Sequence, residues 1–256
     1  TMHTTLFQQL PDIYQSFFPD LFNQPIPIES YADCSDCNMC KPNTVTTDQL
    51  FFSPKTKCCT FKPIVPNFLV GGIIQDSSQN PALKNLIKTN QKIYPLGYFP
   101  SPDDLHYYET NVLPDKFGID DTFNCDFYSD GNCGIWKYRN AICSTYFCHY
   151  FKGFTGKLFW DDVRDFIQFV EDSVTQYCCY ELGIPVDYIK NNTTNFFINV
   201  RKAKWKLSTN KVLTQDEIWG RWINNKHDYF IQCNTLASQL SLDQLIAMNP
   251  TKYQIQ

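Results

Sequence analysis

No apolar run in this sequence reaches the ~18 residues that a membrane-spanning helix needs, which excludes a helical span and a membrane partner of that kind. A surplus of positive charge is also missing. Lys and Arg number 22 against 26 Asp and Glu, for a formal net charge of −4. A general nucleic-acid binder draws its affinity from Lys and Arg on phosphate, so nucleic acid is not an expected partner. The one basic cluster, Arg201-Lys-Ala-Lys-Trp-Lys206, reads as a solvated face. Catalytic motifs legible from spacing are absent: there is no H-E-x-x-H, P-loop, G-x-S-x-G or G-x-G-x-x-G. There is no internal repeat and no low-complexity tract. The stretch Thr1 to Leu10 has neither a basic start nor an apolar h-region, so a secretory signal is not expected there and a cytoplasmic location is.

What the chain has in excess is cysteine, 12 in 256 residues. Hydrophobic residues at 43% and charged residues at 19% place it among folded globular proteins. A chain this long buries a core without cross-links, so the cysteines are not needed as staples. An even count permits six disulfides and a disulfide-rich interaction protein. The spacing argues for ligands instead. Cys34-Ser-Asp-Cys37-Asn-Met-Cys40 is C-x2-C-x2-C, and two-residue spacers let thiolates on one loop turn inward and share a metal or cluster.

A later group comprises Cys125, Cys133, Cys143 and Cys148. Asp130-Gly131 is a strong turn signal, so Cys125 to Cys133 reads as a short hairpin with its two cysteines near the open end. Asn140 to Cys148 reads as helical. On a helix Cys143 and Cys148 stand about 140° apart, so both serve one centre only if the helix is interrupted. Cys58-Cys59 lies between the groups; adjacent side chains diverge, so the pair supplies one ligand and one core residue or serves two sites. Cys178 falls on the apolar stripe Phe159, Val163, Phe166, Ile167, Val170, Val174, Tyr177 of an expected helix 159–182. Cys233 falls on the stripe Trp219, Trp222, Ile223, Phe230, Leu236, Leu240. Both are read as buried core thiols, which are common. The metal candidates are therefore Cys34, Cys37, Cys40, Cys58, Cys59, Cys125, Cys133, Cys143 and Cys148. His149 follows Cys148 and is a candidate neighbour of the centre. Arg139 is another: a guanidinium beside thiolates offsets their charge and tunes a cluster potential.

The pattern Cys125-x-Phe127…Gly131-x-Cys133-x-Ile135-Trp136-x-Tyr138-Arg139-x-x-x-Cys143 resembles the second half of the YkgJ-type cysteine-cluster family, described as zinc- or iron-chelating domains. Trp136, Asn140 and Ser144 replace that family's usual Tyr, Pro and Arg. The family's first half is C-x2-C-x2-C-C; Cys34, Cys37 and Cys40 match it, and Lys41 stands where the fourth Cys would be. The resemblance covers roughly residues 34–160 with a gap. The run Arg139 to Trp160 is also similar to a motif of related uncharacterised bacterial proteins. A weaker likeness is to flagellin lysine methylases. What the resemblance implies is metal binding, with little about activity beyond the methylase-like transferase that the weaker likeness suggests.

A structural zinc wants four ligands, commonly as two C-x2-C knuckles, and the chain has one triplet. A [4Fe–4S] cluster accepts three closely spaced cysteines and a remote one, amid apolar surroundings such as Phe51, Phe52, Phe61, Tyr146 and Phe147. The expectation is one or two iron–sulfur centres, with zinc as the alternative. The role would be electron transfer with a redox protein partner, redox sensing or metal handling, or else an enzyme of unspecified reaction. The expected fold is mainly α with a small irregular and hairpin Cys-rich region organised around a metal centre. It is read as a single domain, 1–256, with a Cys-rich part over about 31–152 and a helical part over about 157–250. Helices are also expected over 81–90, from Ser101-Pro102 to Thr110, from the capping box at Thr214 to about Leu240, and over 241–248, with short aromatic-rich helices in 3–22.

Overall fold

A computed structural model describes residues 3–18, 23, 25–27, 34, 36–40, 52–76, 92–148, 150–196 and 213–248. His3–Thr5 (β1) pairs antiparallel with Pro25–Pro27 (β2), whose prolines hold the chain extended. Leu6–Gln9 (α1) stops before Pro11, and 3-10 turns over Asp12–Phe17 carry Tyr14 and Phe17 into the core. The short helices expected in 3–22 are thus found over 6–17, while residues 3–5 are strand.

Val65–Pro66 (β3) leads into Asn67–Gln75 (α2). From Asn67 to Ile74 every residue of α2 is buried, as a helix apolar on all sides must be. Its one buried polar side chain is satisfied: Asn67 Nδ2 donates to the carbonyls of Pro95 and Thr175 at 3.1 and 3.2 Å, and Oδ1 accepts from the Phe68 N–H. Ile93–Tyr94 (β4) and Gly97–Tyr98 (β5) complete a small antiparallel sheet in the order β3-β5-β4. Pro102–Tyr107 (α3) carries the expected cap, with the Asp104 N–H donating to Ser101 Oγ at 3.1 Å. It runs on through a π-helical turn, Tyr108–Val112.

Tyr128–Ser129 (β6) and Asn132–Cys133 (β7) form the hairpin. Ala141–Thr145 (α4) precedes the longest helix, Gly153–Glu181 (α5). α5 begins earlier than the apolar stripe suggested, so Gly156 lies inside its first turns. Val163, Ile167, Val170, Val174 and Cys178 line its buried face, whereas Phe159 is exposed. Gly183, at φ +76°, lets the chain leave the helix just before Pro185 and Val186–Phe196 (α6).

The helix expected from Thr214 to Leu240 is broken in two. Gln215–Trp219 (α7) opens on the capping box, with the Glu217 N–H on Thr214 Oγ1 at 3.2 Å, and ends at Gly220. Lys226–Gln239 (α8) starts afresh after a 3-10 turn, and Leu242–Met248 (α9) follows. The break turns Trp219 and Trp222 onto Tyr229, and Trp222 Nε1 donates to the Leu182 carbonyl at 2.7 Å. The expected helix 81–90, the cluster 201–206 and His149 lie outside the described residues.

The described protein is mainly helical, and α2 is its spine. Gly71 and Gly72 bring its backbone against two neighbours: a methyl on Gly71 would run into the Phe230 carbonyl of α8, and one on Gly72 would sit 2.5 Å from the Tyr138 ring. Cys178, Cys179 and Cys233 belong to this helical core; Cys178 Sγ lies 3.4 Å from the Cys233 carbonyl and Cys179 Sγ 3.3 Å from Tyr229 Oη. Gly71→Ala should therefore lower stability by about 1–3 kcal/mol, the cost of overpacking a tight core. Urea unfolding followed by far-UV dichroism measures it; an unchanged midpoint would show that α2 and α8 do not meet there.

Candidate metal centre

The nine candidate cysteines sit on four pieces of chain, each fixed by its own local bonds. The turn 53–59 is wound by Lys57 N–H to the Ser53 carbonyl at 2.8 Å and Cys59 N–H to the Thr56 carbonyl at 3.0 Å. Buried Thr56 and Thr60 tie it to Gly118 through their hydroxyls, at 3.1 and 2.7 Å. In the hairpin, Asp130 and Gly131 take φ of +50° and +79°, the left-handed pair of a type I′ turn. The Cys125 N–H donates to the Cys59 carbonyl at 2.7 Å, joining the turn to the hairpin. Cys37 to Cys40 forms a 3-10 turn, anchored by Phe52 N–H on the Met39 carbonyl at 2.9 Å.

The fourth piece departs from expectation. Asn140 caps α4 by accepting from the Cys143 N–H at 3.0 Å, but α4 ends at Thr145 and Tyr146 is extended, φ −82° and ψ 120°. Cys148 is therefore released from helical phase with Cys143. That interruption is the condition under which both can address one site.

Eight of the nine cysteines, all but Cys40, line a single cavity of about 380 Å³. Cys40 stands against Cys37 just outside it. The remaining wall is mostly apolar and aromatic, with Phe61, Phe117, Ile135, Ile142 and Tyr146. Phe61 and Tyr146 are thus the expected aromatic flanks that reach the site. Phe52 packs on Phe117 instead, Phe147 packs on Trp160 in the core, and Phe51 is outside the described residues. None of the twelve cysteines is joined in a disulfide. Among the described residues, no three His, Cys, Asp or Glu side chains are gathered as one metal ion would take them. The sulfurs surround a space; they do not converge on a point.

Burial and mutual repulsion set the charge of these thiols. Burial, then the neighbouring sulfurs Cys58 and Cys133, push Cys34 up to about 11. Burial and the nearby Cys37 push Cys40 up to about 11, and burial pushes Cys125 up to about 12. Cys133 and Cys143 are raised by burial too. Two thiols go the other way. A hydrogen bond from the Cys148 thiol brings Cys37 down to about 5, and one from Cys59 lowers Cys58; the donors Cys148 and Cys59 rise correspondingly.

Two cations enter the cavity wall. Arg139 is 7% exposed and stacks its guanidinium 3.5 Å above the Trp136 ring. Its N–H groups go to main-chain carbonyls, Trp136 at 3.1 Å and Cys143 at 3.2 Å, and among the described residues no carboxylate pairs with it. Its charge is exerted on Cys133, Cys143, Cys34 and Cys58. Lys57 is the second, and spacing did not single it out, although it stands immediately before Cys58. Its Nζ donates to the carbonyls of Cys34 and Gly131, clasping the triplet segment to the hairpin tip.

Two more features escaped the sequence. Lys62, Asp104, Lys92 and Asp126 form a closed ring of ion pairs at 2.7, 2.7, 2.8 and 3.3 Å behind Cys125, and Tyr98 Oη donates to Asp126. Burial alone would raise Asp104, but hydrogen bonds from Lys62 and Lys92 outweigh it and hold the carboxyl below the usual range. The second feature is Glu171 of α5, 3% exposed, whose Oε1 accepts from Tyr14 Oη at 2.5 Å and from the Ala141 N–H at 2.7 Å. It braces the start of the helix that carries Cys143.

Burial pushes the Glu171 carboxyl up to about 8, although both hydrogen bonds oppose the rise. In the unfolded chain a Glu titrates near ~4.3. Between those values the folded state holds the extra proton, so this group's contribution is complete below about 4 and is lost as pH rises to about 8. The stability advantage of wild type over Glu171→Gln should fall across pH 5 to 8 and level off above. Denaturation midpoints of the two proteins at a series of pH values measure this; a constant difference would mean that Glu171 is ionised throughout.

No protein-family model, no curated protein and no solved structure matches this chain.

Proposed function

We propose that this chain binds an inorganic iron–sulfur centre through its clustered cysteines and serves in electron transfer, redox sensing or metal handling. The observation that supports this is the cavity itself: eight thiols and two cations around about 380 Å³, with no carboxylate among its lining residues. The donor set suits the group. Iron–sulfur clusters take cysteine thiolates, and their potential responds to nearby charge, hydrogen bonds and solvent exposure. A cluster presents its iron atoms outward, so its ligands surround a space, as these sulfurs do. A lone zinc needs four ligands at about 2.1–2.3 Å, a convergence not found among the described residues.

A bound centre would supply one-electron chemistry. The chain's own part is to ligate, to exclude water and to balance charge. Cys37, Cys58, Cys133 and Cys143 are held by separate segments, so binding also fastens those segments together. Phe61, Ile135 and Ile142 keep the wall dry. A redox protein is the partner this reading requires. The second reading, an enzyme whose centre serves catalysis, is favoured by the aromatic half of the same cavity, where Tyr108 and Phe117 leave room beside the sulfurs.

Anaerobically purified protein should be brown, absorb near ~400 nm, bleach on reduction and yield iron with acid-labile sulfide. Zinc in stoichiometric amount without sulfide would replace iron by zinc, and absence of any bound metal would overturn the proposal. Cys233→Ser should keep the full metal content, because Cys233 is enclosed between α5 and α8, away from the cavity. Its cost should be confined to core stability, about 1–2 kcal/mol. A metal-depleted but folded Cys233 variant would show that the site includes the helical core.

A further inference from the structure

We infer that Tyr128 tunes the centre proposed above: its hydroxyl donates a hydrogen bond to a sulfur of that centre and raises its reduction potential. This rests on the iron–sulfur reading and deepens it. Tyr128 is partly exposed, but its Oη is shut off from solvent and, among the described residues, meets no hydrogen-bond partner. A buried hydroxyl without a partner costs free energy. Native chains therefore keep few of them, and each calls for a cause. Other enclosed tyrosines of this chain obey the rule. Tyr14 donates to Glu171, Tyr98 to Asp126 and Tyr229 to the Pro95 carbonyl.

The hairpin sets the direction of that oxygen. Tyr128 of β6 stands opposite Cys133 of β7. Residues directly opposite in an antiparallel pair send their side chains to the same face, with Cβ atoms about 4.5–5.5 Å apart. Cys133 lines the cavity, so the Tyr128 ring shares its face of the hairpin with a cavity thiol. Two bonds bring further thiol-bearing segments to this hairpin. The Cys125 N–H donates to the Cys59 carbonyl at 2.7 Å, and Lys57 clasps the Cys34 carbonyl to that of Gly131. Tyr128, Cys59 and Cys133 all pack against the hydrophobic core. Burial pushes the phenol up to about 12, and the charges that add to the rise are those of Cys59, Cys34, Cys40 and Cys58. The oxygen thus keeps its proton at neutral pH, and its neighbours are sulfurs. A neutral thiol is a weak acceptor, whereas a charged sulfur is a strong one. The partner that Tyr128 lacks is therefore of the kind a thiolate-bound centre supplies. The reduced form of such a centre carries one more negative charge, so a donor to its sulfur favours reduction; hydrogen bonds to the sulfurs are among the determinants of cluster potential.

The test is the reduction potential of the full-length protein, purified anaerobically and titrated with visible absorbance as the readout, alongside its iron and sulfide content. Tyr128→Phe removes one oxygen and keeps the ring, so iron and sulfide should match wild type. Its potential should fall: at a fixed applied potential the ratio of reduced to oxidised centre should drop about tenfold, which is about 59 mV for a one-electron couple. A tyrosine fluorinated beside the hydroxyl, placed at position 128, is a stronger donor and should move the potential the other way. It also carries the test if Tyr128→Phe fails to fold. Tyr107→Phe, which loses a hydroxyl already bonded to Asp120 at 3.1 Å, should leave the potential where it is. An unchanged potential in both Tyr128 variants, at full iron content, overturns the inference and leaves the iron–sulfur reading intact. Loss of iron from a folded Tyr128→Phe protein overturns it too, because the hydroxyl would then be needed for assembly. A wild type holding zinc, or no metal, overturns the reading on which it rests and the inference with it.

Discussion

Sulfurs crowded into a dry cavity raise one another's proton affinity, because each thiolate must be desolvated beside others of the same sign. Cys34, Cys40, Cys125, Cys133 and Cys143 all move upward for that reason. Such a gathering is tolerable as neutral thiols or as thiolates beside cations. It becomes a ligand set only when positive charge is brought in. The arrangement of the surrounding chain follows from that constraint: among the described residues, the cavity wall holds Arg139 and Lys57 and no carboxylate.

How those two cations are held matters as much as their presence. Arg139 follows the 3-10 turn Trp136–Tyr138, and Tyr138 packs on Gly72 of the buried helix α2. Its guanidinium is fixed by two main-chain carbonyls and a tryptophan ring, none of which cancels its charge. Lys57 is placed by a left-handed residue in a tight turn and likewise donates to carbonyls. Among the described residues no carboxylate pairs with either, so both direct their charge at the sulfurs. Lys62 and Lys92 are handled in the opposite way. They alternate with Asp104 and Asp126 in a ring that is locally neutral, so it braces Cys125 without adding a net field.

Much of the local structure was legible in the sequence because single residues enforce it. Asp130-Gly131 demanded a hairpin, and Ser101-Pro102 and Thr214 demanded helix starts; each is found. The stripe through Cys178 placed that thiol in the core by periodicity alone. What failed were boundaries decided by tertiary contact. Nothing in Asn140 to Cys148 announces that α4 stops at Thr145, and no strong breaker other than Gly220 announces the split between α7 and α8. Buried polar partnerships were not legible at all: Glu171 meets Tyr14 across 157 positions and Lys57 meets Gly131 across 74. Spacing reports what one segment can do and carries no record of which distant segment it meets.

The same distinction bears on the cysteines. The C-x2-C-x2-C spacing suggests three ligands of one centre, because consecutive turns of one loop bring sulfurs together. In the folded chain Cys37 and Cys40 stay together, but Cys34 turns toward Cys133, where a backbone N–H meets its sulfur and Lys57 holds its carbonyl. The pull on Cys34 is thus from the hairpin, not from its own loop. Cys148 takes the place beside Cys37 that the loop leaves, and it can do so only because α4 ends early. The triplet is thus opened in the folded chain, and Cys148, released by the early end of α4, stands beside Cys37 instead.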